Sequence, residues 1–320
     1  MNARRFTLPI LALVVLLTGA SCTRKETPPP PPPAAKPQIA FVYKTLSNPY
    51  FVEMDKGVKA AAQRLTQYQV TTHATQQESD VEQQLHIIED LITRHVAAIC
   101  LTPNDSKALV TAVAKANTAN IPVIIVDTKL DPATIQSANA RVASTIASDN
   151  VQGGALAAKF IAKRLSGRGD VAILEGLPGQ DTAVARKKGF VDAMKQYPNI
   201  KIVSSQTAEW SRDKAVTVFQ NVLRANPRLN AVFASNDEMA LGAIQAIKQE
   251  HRTGVFVVGF DATPDGRTAV TSGEMAGTVA QAPSDMGRRA VEAAATLVGG
   301  GQVPAEITIP VSLVTPETKP

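Results

Sequence analysis

The stretch QIAFVYKTLSNPYFVEMDKGVKAAAQRLTQYQVTTHAT, residues 38–75, decides the fold. Its opening, QIAFVYK, is a short apolar run of strand length. Pro49 to Leu65 then sets Phe51, Met54, Val58, Ala61 and Leu65 at helical spacing, and YQVTTHAT returns to strand character. Moving outward, Ser79-Asp-Val-Glu82 reads as a capping box that opens a second helix. VAAICL (96–101), a helix through Ala108 to Ala119 and IPVIIVD (121–127) complete a first set. A second set begins near Asp149, with strands DVAILEG (170–176), KIVSSQT (201–207), NAVFAS (230–235), VFVVGF (255–260) and AGTVAQ (276–281), separated by helical segments.

Strands that are apolar throughout belong to parallel sheets covered on both faces. Two sets of similar size predict an α/β protein of two doubly wound, Rossmann-like parallel-sheet domains. The 320 residues suffice for both, and 44% hydrophobic with 19% charged residues is an ordinary globular balance.

The N-terminus reads as a targeting segment. Arg4 and Arg5 precede the apolar run Leu8 to Leu17, which is too short for an ordinary membrane span. Gly19, Ala20 and Ser21 lead into Cys22, as in a bacterial lipoprotein signal whose Cys is lipidated, although Gly19 stands where Leu is usual. Simple cleavage beside Ser21 stays open. Residues 1–21 are thus a signal peptide and 22–37 a lipidated Cys with a linker. Pro28 to Pro33, within Thr23 to Pro37, favour an extended polyproline helix of about 3.1 Å per residue, so that the whole segment reads as a spacer of roughly 45 Å. Without the leader's two arginines the net charge falls from +5 to +3, with no basic cluster, which argues against nucleic-acid binding. Cys100, the only other cysteine, lies in an apolar run and reads as a core residue.

In open parallel sheets, ligands bind beyond the carboxyl ends of the strands. Those ends carry Lys44, Asp127, the Gly176–Gln180 loop, the Ala208–Trp210 turn, Asn236, Asp261 and Gln281. No GxGxxG follows the first strand, no phosphate loop is present, and His73, His86, His95 and His251 fall on predicted helices or strand bodies. No catalytic or metal-ligand spacing emerges, so neither an enzyme nor a cofactor is expected. A sugar fits this inventory. Asp127 and Asp261 accept, Arg186 and Lys44 donate, Asn48, Asn236 and Gln281 do both, and Tyr50, Phe51 and Trp210 offer flat faces for C–H patches. The four charges cancel, which suits an uncharged ligand. Five have a plainer reading: Asp127 as a turn cap, Asn236 as a purely structural residue, Phe51 and Trp210 as core, Lys44 as a solvated charge. Glu238 reads as part of a capping box over Ser235–Glu238.

The segments KTLSNPYF (44–51), IPVIIVD (121–127), ASDNVQGG (147–154), Arg186 before KKGF, SNDEMALGA (235–243), VVGFDATPDG (257–266) and AQAPSDMG (280–287) resemble the periplasmic ribose- and allose-binding proteins. These are substrate-binding subunits of ABC importers, with the type I periplasmic binding protein fold shared by the LacI-type repressor core. The resemblance runs from about Gln38 to Pro316. It implies that Asn48, Asp127, Arg186, Asn236, Asp261 and Gln281 bond sugar hydroxyls, that Tyr50, Phe51 and Trp210 sandwich the ring, and that Phe260 is a wall. Lys44 stands where the ribose type has a small hydroxyl residue, and Thr128 where it has an Arg; with Trp210 this is the allose-like version, favouring a hexose over ribose or a related pentose. Lys44 would then donate to two hydroxyls, and Thr128 would leave room for a hydroxymethyl group. The resemblance further implies lobes of 38–148 plus 282–310 and 149–281 plus 311–320, joined by a hinge of three crossings. The expected partners are a monosaccharide and an ABC transporter permease. The expected form is a monomer, periplasmic or at the cell surface, touching the membrane only through its lipid anchor. A tethered sensor presenting sugar to a receptor kinase is the competing function. The leader and the lack of DNA-binding helices argue against a repressor.

Overall fold

The computed structural model describes residues 35–318; the leader, Cys22 and the run Pro28–Pro33 lie outside them. The chain opens with β1 (Gln38–Tyr43), α1 (Pro49–Arg64), β2 (Gln69–Ala74), α2 (Val81–Thr93), β3 (Ala98–Leu101), α3 (Val110–Thr118), β4 (Val123–Val126), α4 (Pro132–Ser137) and β5 (Ser144–Ser148). It continues through α5 (Asn150–Arg164), β6 (Arg168–Glu175), α6 (Asp181–Met194), β7 (Asn199–Thr207), α7 (Arg212–Ala225), β8 (Leu229–Ala234), α8 (Asp237–Gln249), β9 (Phe256–Asp261), α9 (Pro264–Thr271) and β10 (Gly277–Ala280). It closes with α10 (Pro283–Val298), β11 (Glu306–Ile309) and β12 (Ser312–Val314).

Two six-stranded sheets result, ordered β2-β1-β3-β4-β5-β11 and β7-β6-β8-β9-β10-β12. Every pairing is parallel except that of β10 with β12. The order reverses beside β1 in the first sheet and beside β6 in the second, and a doubly wound sheet opens a crevice at such a switch point. The chain passes between the sheets after β5, after β10 and between β11 and β12.

Alternation within β1 shows why its residues are apolar at both parities. Ile39, Phe41 and Tyr43 pack with Met54 and Val58 of α1 and with Met286 and Val291 of α10. Ala40 and Val42 face the other way, onto Ile88, Leu91 and Val113. Each large side chain so buried stabilises the lobe by about 1.5–3 kcal/mol. The second sheet is built alike, with Leu174, Val232 and Phe219 in one layer and Ile161, Ile173 and Phe233 in the other. Cys100 is buried in the first core.

Several local expectations need correction. The edge strands β2 and β7 are partly exposed and polar, not apolar throughout, because an edge strand is covered less than a central one. The segment between β4 and α5 holds α4 and β5, and the C-terminal segment holds β11 and β12; none was anticipated. The capping box at Ser79 does not form: α2 starts at Val81, and Asp80 turns its carboxylate back to the Gln77 amide at 3.0 Å. At α8 the cap is Asn236 rather than Ser235, accepting the Met239 amide at 2.9 Å, and Glu238 pairs with Arg212 at 2.9 Å. His95 and His251 sit just beyond helix ends at positive φ. Among the described residues no helix is long and apolar enough to cross a membrane, and no cluster of metal-ligating side chains occurs.

Candidate functional site

The C-terminal ends of β1, β4, β8 and β9 deliver Lys44, Asp127, Asn236 and Asp261. Asn48 caps α1, its Oδ1 accepting the Tyr50 amide at 3.0 Å, and Pro49 sets φ for the first turn; this presents Tyr50 and Phe51. Arg186 comes from α6, and Trp210 from the turn before α7. Asp127 (φ 68°), Trp210 (φ 63°) and Asp261 (φ 106°) hold left-handed backbone, which costs a non-glycine residue on the order of 1–3 kcal/mol. Such strain concentrates where side chains must be aimed. The Trp210 ring lies so close to Gly176 that a Cβ there would come within 2.0 Å of it, so only glycine admits the indole.

Nine of the eleven sequence-nominated residues line one small cavity: Lys44, Asn48, Tyr50, Phe51, Asp127, Arg186, Trp210, Asn236 and Asp261. Phe260 and Gln281 stand one contact behind. The Phe260 ring centre lies 3.8 Å from the Arg186 guanidinium carbon. Gln281 donates to Asp261 at 2.7 Å, and its Oε1 lies 3.3 Å from the Tyr50 hydroxyl oxygen. Glu78 and Thr182 also line the cavity and were missed. Thr182 stands one helical turn before Arg186, which places the two on one face of α6 and could have revealed it. The Thr182 hydroxyl is buried without a hydrogen-bond partner among the described residues. Glu78, four residues past β2, accepts from Asn48 Nδ2 at 2.8 Å.

Two buried ion pairs organise the charges. Lys44 Nζ donates to Asp127 Oδ2 at 3.2 Å, Thr128 Oγ1 at 2.5 Å and Gln180 Oε1 at 3.1 Å. Arg186 donates through Nε to Asn150 Oδ1 at 2.8 Å, and through Nη1 to the Ser235 carbonyl at 2.6 Å and Asp261 Oδ1 at 3.3 Å. Tyr50 donates to Asp127 Oδ1 at 2.9 Å. Burial, with Asp127 and Asp261 beside it, pushes the Tyr50 hydroxyl well above its ordinary range, so it stays a donor. Burial likewise pushes Asp261 up against the pull of Arg186, and Glu78 up against that of Lys44.

Two expectations about this corner are corrected. Lys44 is not a solvated charge, being 2% exposed, and its three ammonium protons already have three protein acceptors. Thr128 does not leave room: its hydroxyl is buried, donates to Asp127 at 2.9 Å and is met by the ammonium. The Lys44 ammonium, from the end of β1, contacts both side chains.

Asp237, behind Asn236, accepts the Thr263 amide and hydroxyl at 2.7 and 3.0 Å and the Thr278 hydroxyl at 2.6 Å. Burial nevertheless pushes its carboxyl from 3.8 up to about 6. The folded protein therefore holds this proton more tightly than the unfolded chain does, and the stabilisation it brings in acid is lost as pH rises from about 4 to about 6. Asp237→Asn, which cannot titrate, should gain on the wild type in Tm across that window. Parallel Tm–pH curves for the two proteins would show that Asp237 titrates normally.

A sequence profile of the family described as periplasmic binding protein domain matches residues 39–302. The chain is 39% identical over 280 residues to the ribose import binding protein of Escherichia coli (strain K12), covering 88% of this chain and 91% of that one. It is 40% identical over 255 residues to the D-allose-binding periplasmic protein of the same organism, covering 79% and 82%. The crystal structure of an ABC transporter periplasmic solute binding protein from Actinobacillus succinogenes 130z with bound D-allose superimposes with a TM-score of 0.83 at 38% identity, over 88% of this chain and 98% of that one.

Proposed function

The chain belongs to the periplasmic binding protein domain family, and from that premise we propose that it is the extracytoplasmic substrate-binding subunit of an ABC sugar importer. The two sheets with helices on both faces are the type I architecture of that family. The relatives named as import and solute-binding proteins favour an importer over a sensor. The ligand is a neutral monosaccharide, an allose-like hexose before ribose or a related pentose. A permease is the membrane partner. The protein works as a monomer without catalysis, and lipid on Cys22, outside the described residues, holds it to the membrane.

The observation that carries this reading is the cavity between the two sheets, walled by aromatic rings and by two internally neutralised ion pairs. An apolar-faced ring bearing hydroxyls satisfies such walls, while a charged ligand would upset their balance. The unpartnered Thr182 hydroxyl supplies one more polar contact. Residues 38–148 with 282–310 and 149–281 with 311–320 act as two lobes that close on the sugar about the three crossings.

Titration calorimetry against D-allose, D-ribose, D-glucose and myo-inositol should show binding at about 1 μM or tighter for a monosaccharide, on the order of −8 kcal/mol, with the sugar recovered unchanged. No heat with any of them, or recovery of an altered sugar, would sink the assignment.

A further inference from the structure

Gln180 is wholly buried and directly precedes α6, yet its side chain does not cap that helix. Its carboxamide reaches across the cavity instead. Oε1 accepts from Lys44 Nζ at 3.1 Å and from Trp210 Nε1 at 2.9 Å, while Nε2 donates to the Asn104 carbonyl at 2.9 Å. Lys44 and Asn104 belong to the first sheet's side, Trp210 and Gln180 to the second's. Main-chain groups extend the seam: the Ser106 amide donates to the Gly179 carbonyl at 3.0 Å, and the Asp181 amide to Ser106 Oγ at 2.9 Å. Gly179 makes this approach possible. Its φ is +89°, and a Cβ there would come within 2.3 Å of the Asp105 carboxylate on the opposite side.

All of these bonds except that of Trp210 with Gln180 join groups on opposite sides of the cleft, so they exist only while it is shut. Two of the three made by Gln180 end on cavity-lining residues, Lys44 and Trp210. We propose that Gln180 is a positioning residue that couples lobe closure to assembly of the sugar site: its carboxamide is held by the Trp210 indole within its own lobe, and on closure it engages the Lys44 ammonium and the Asn104 carbonyl of the other, fixing both cavity-lining side chains against the ligand. The inference rests on the reading of the cavity as a sugar site that closes. An amide suits the task because one oxygen serves two donors while the nitrogen serves an acceptor. A carboxylate would keep the first function and lose the second.

Because Trp210 is the only tryptophan, intrinsic fluorescence reports on one end of this contact directly. The test uses the full chain with D-allose and D-ribose as probes, and compares wild type with Gln180→Ala and Gln180→Glu by calorimetry and stopped-flow fluorescence. Gln180→Ala should weaken binding roughly 10- to 100-fold through faster dissociation, with association changed by less than about threefold. Its sugar-bound Trp210 emission should also differ from wild type, since the indole N–H has lost its acceptor. Gln180→Glu, which keeps the oxygen for Lys44 and Trp210 but loses the donor to the Asn104 carbonyl, should recover part of the affinity and the wild-type emission, which a merely structural role would not predict. Wild-type dissociation and emission in Gln180→Ala would overturn the proposal while the sugar-site reading stands. So would a Gln180→Glu protein, folded by circular dichroism, that is no better than Gln180→Ala. No heat with either probe in the wild type would overturn both.

Discussion

Arg186→Ala should raise the dissociation constant for the preferred sugar by roughly 1,000-fold or more, the largest effect expected of any single substitution here. The guanidinium is 4% exposed, bonds Asn150, Ser235 and Asp261, and lies over the Phe260 ring. It therefore aligns polar groups from α5, β9 and the loop after β8 around one planar cation. Hydrogen bonds from a charged donor contribute about 1.5–3 kcal/mol each, so losing two towards the ligand accounts for the expected fall. Stability should drop as well. Asp261, already pushed up by burial, would be left without its cation, and breaking a buried pair costs about 3–5 kcal/mol. At about 2–4 °C per kcal/mol, Tm should fall by roughly 10 °C. Arg186→Lys separates the two effects. It keeps a charge beside Asp261 but loses the planar fork, so it should stay folded and still bind at least about tenfold more weakly. Calorimetry showing either variant within a few-fold of wild type would remove Arg186 from the ligand's contacts.

Lys44→Ser should lower affinity for hexoses and pentoses alike by about 100-fold, and Thr128→Arg added to it should restore at least about tenfold. The ammonium sits between Asp127, Thr128 and Gln180 and is as buried as its partners. Removing it leaves Asp127 held only by the Tyr50 and Thr128 hydroxyls, an uncompensated carboxylate in the wall of the cavity. The ribose-type arrangement, with a small hydroxyl residue at 44 and Arg at 128, carries one cation on the other side of the same aspartate. The two positions thus exchange charge for hydroxyl, and the double variant reverses the exchange. A double-mutant cycle reads the coupling directly. Additive effects would show that 44 and 128 do not share the task, and a Lys44→Ser protein with unaltered affinity would show that the ammonium does not support the site.

These expectations differ from what Lys44 alone suggests. A lysine at a strand end reads as a free donor aimed into a cleft. The shut cleft supplies all its acceptors, one of them, Gln180, 136 residues away in sequence. Asn48 and Asn236 show the same doubling of roles: each caps a helix, and each spends its amide nitrogen on a neighbour, Glu78 and the Trp210 carbonyl respectively. Helix caps and strand-end ligands occupy the same positions in a doubly wound sheet, so capping a helix does not exclude these residues from ligand contact.

Nearly every central strand and long helix was legible because apolar periodicity is a local property, and so were most of the cavity's residues because strand ends converge in this architecture. The short β11 and β12, and β5 with its polar flanks, escaped because pairing with a distant neighbour defines them more than their own composition does. Glu78 escaped for a related reason, and Gln180 was nominated only as the last residue of a strand-end loop, without its partners across the cleft. The sequence by itself determined two α/β lobes and a polar, aromatic rim whose four nominated charges cancel, since spacing and residue type settle both; the structure adds the Glu78 carboxyl to that rim. Only the tertiary structure decided which rim groups satisfy one another and which, like the Thr182 hydroxyl, have no partner among the described residues. Hydrogen bonding depends on tenths of an ångström between segments brought together by the docking of two lobes, and no local pattern encodes that distance.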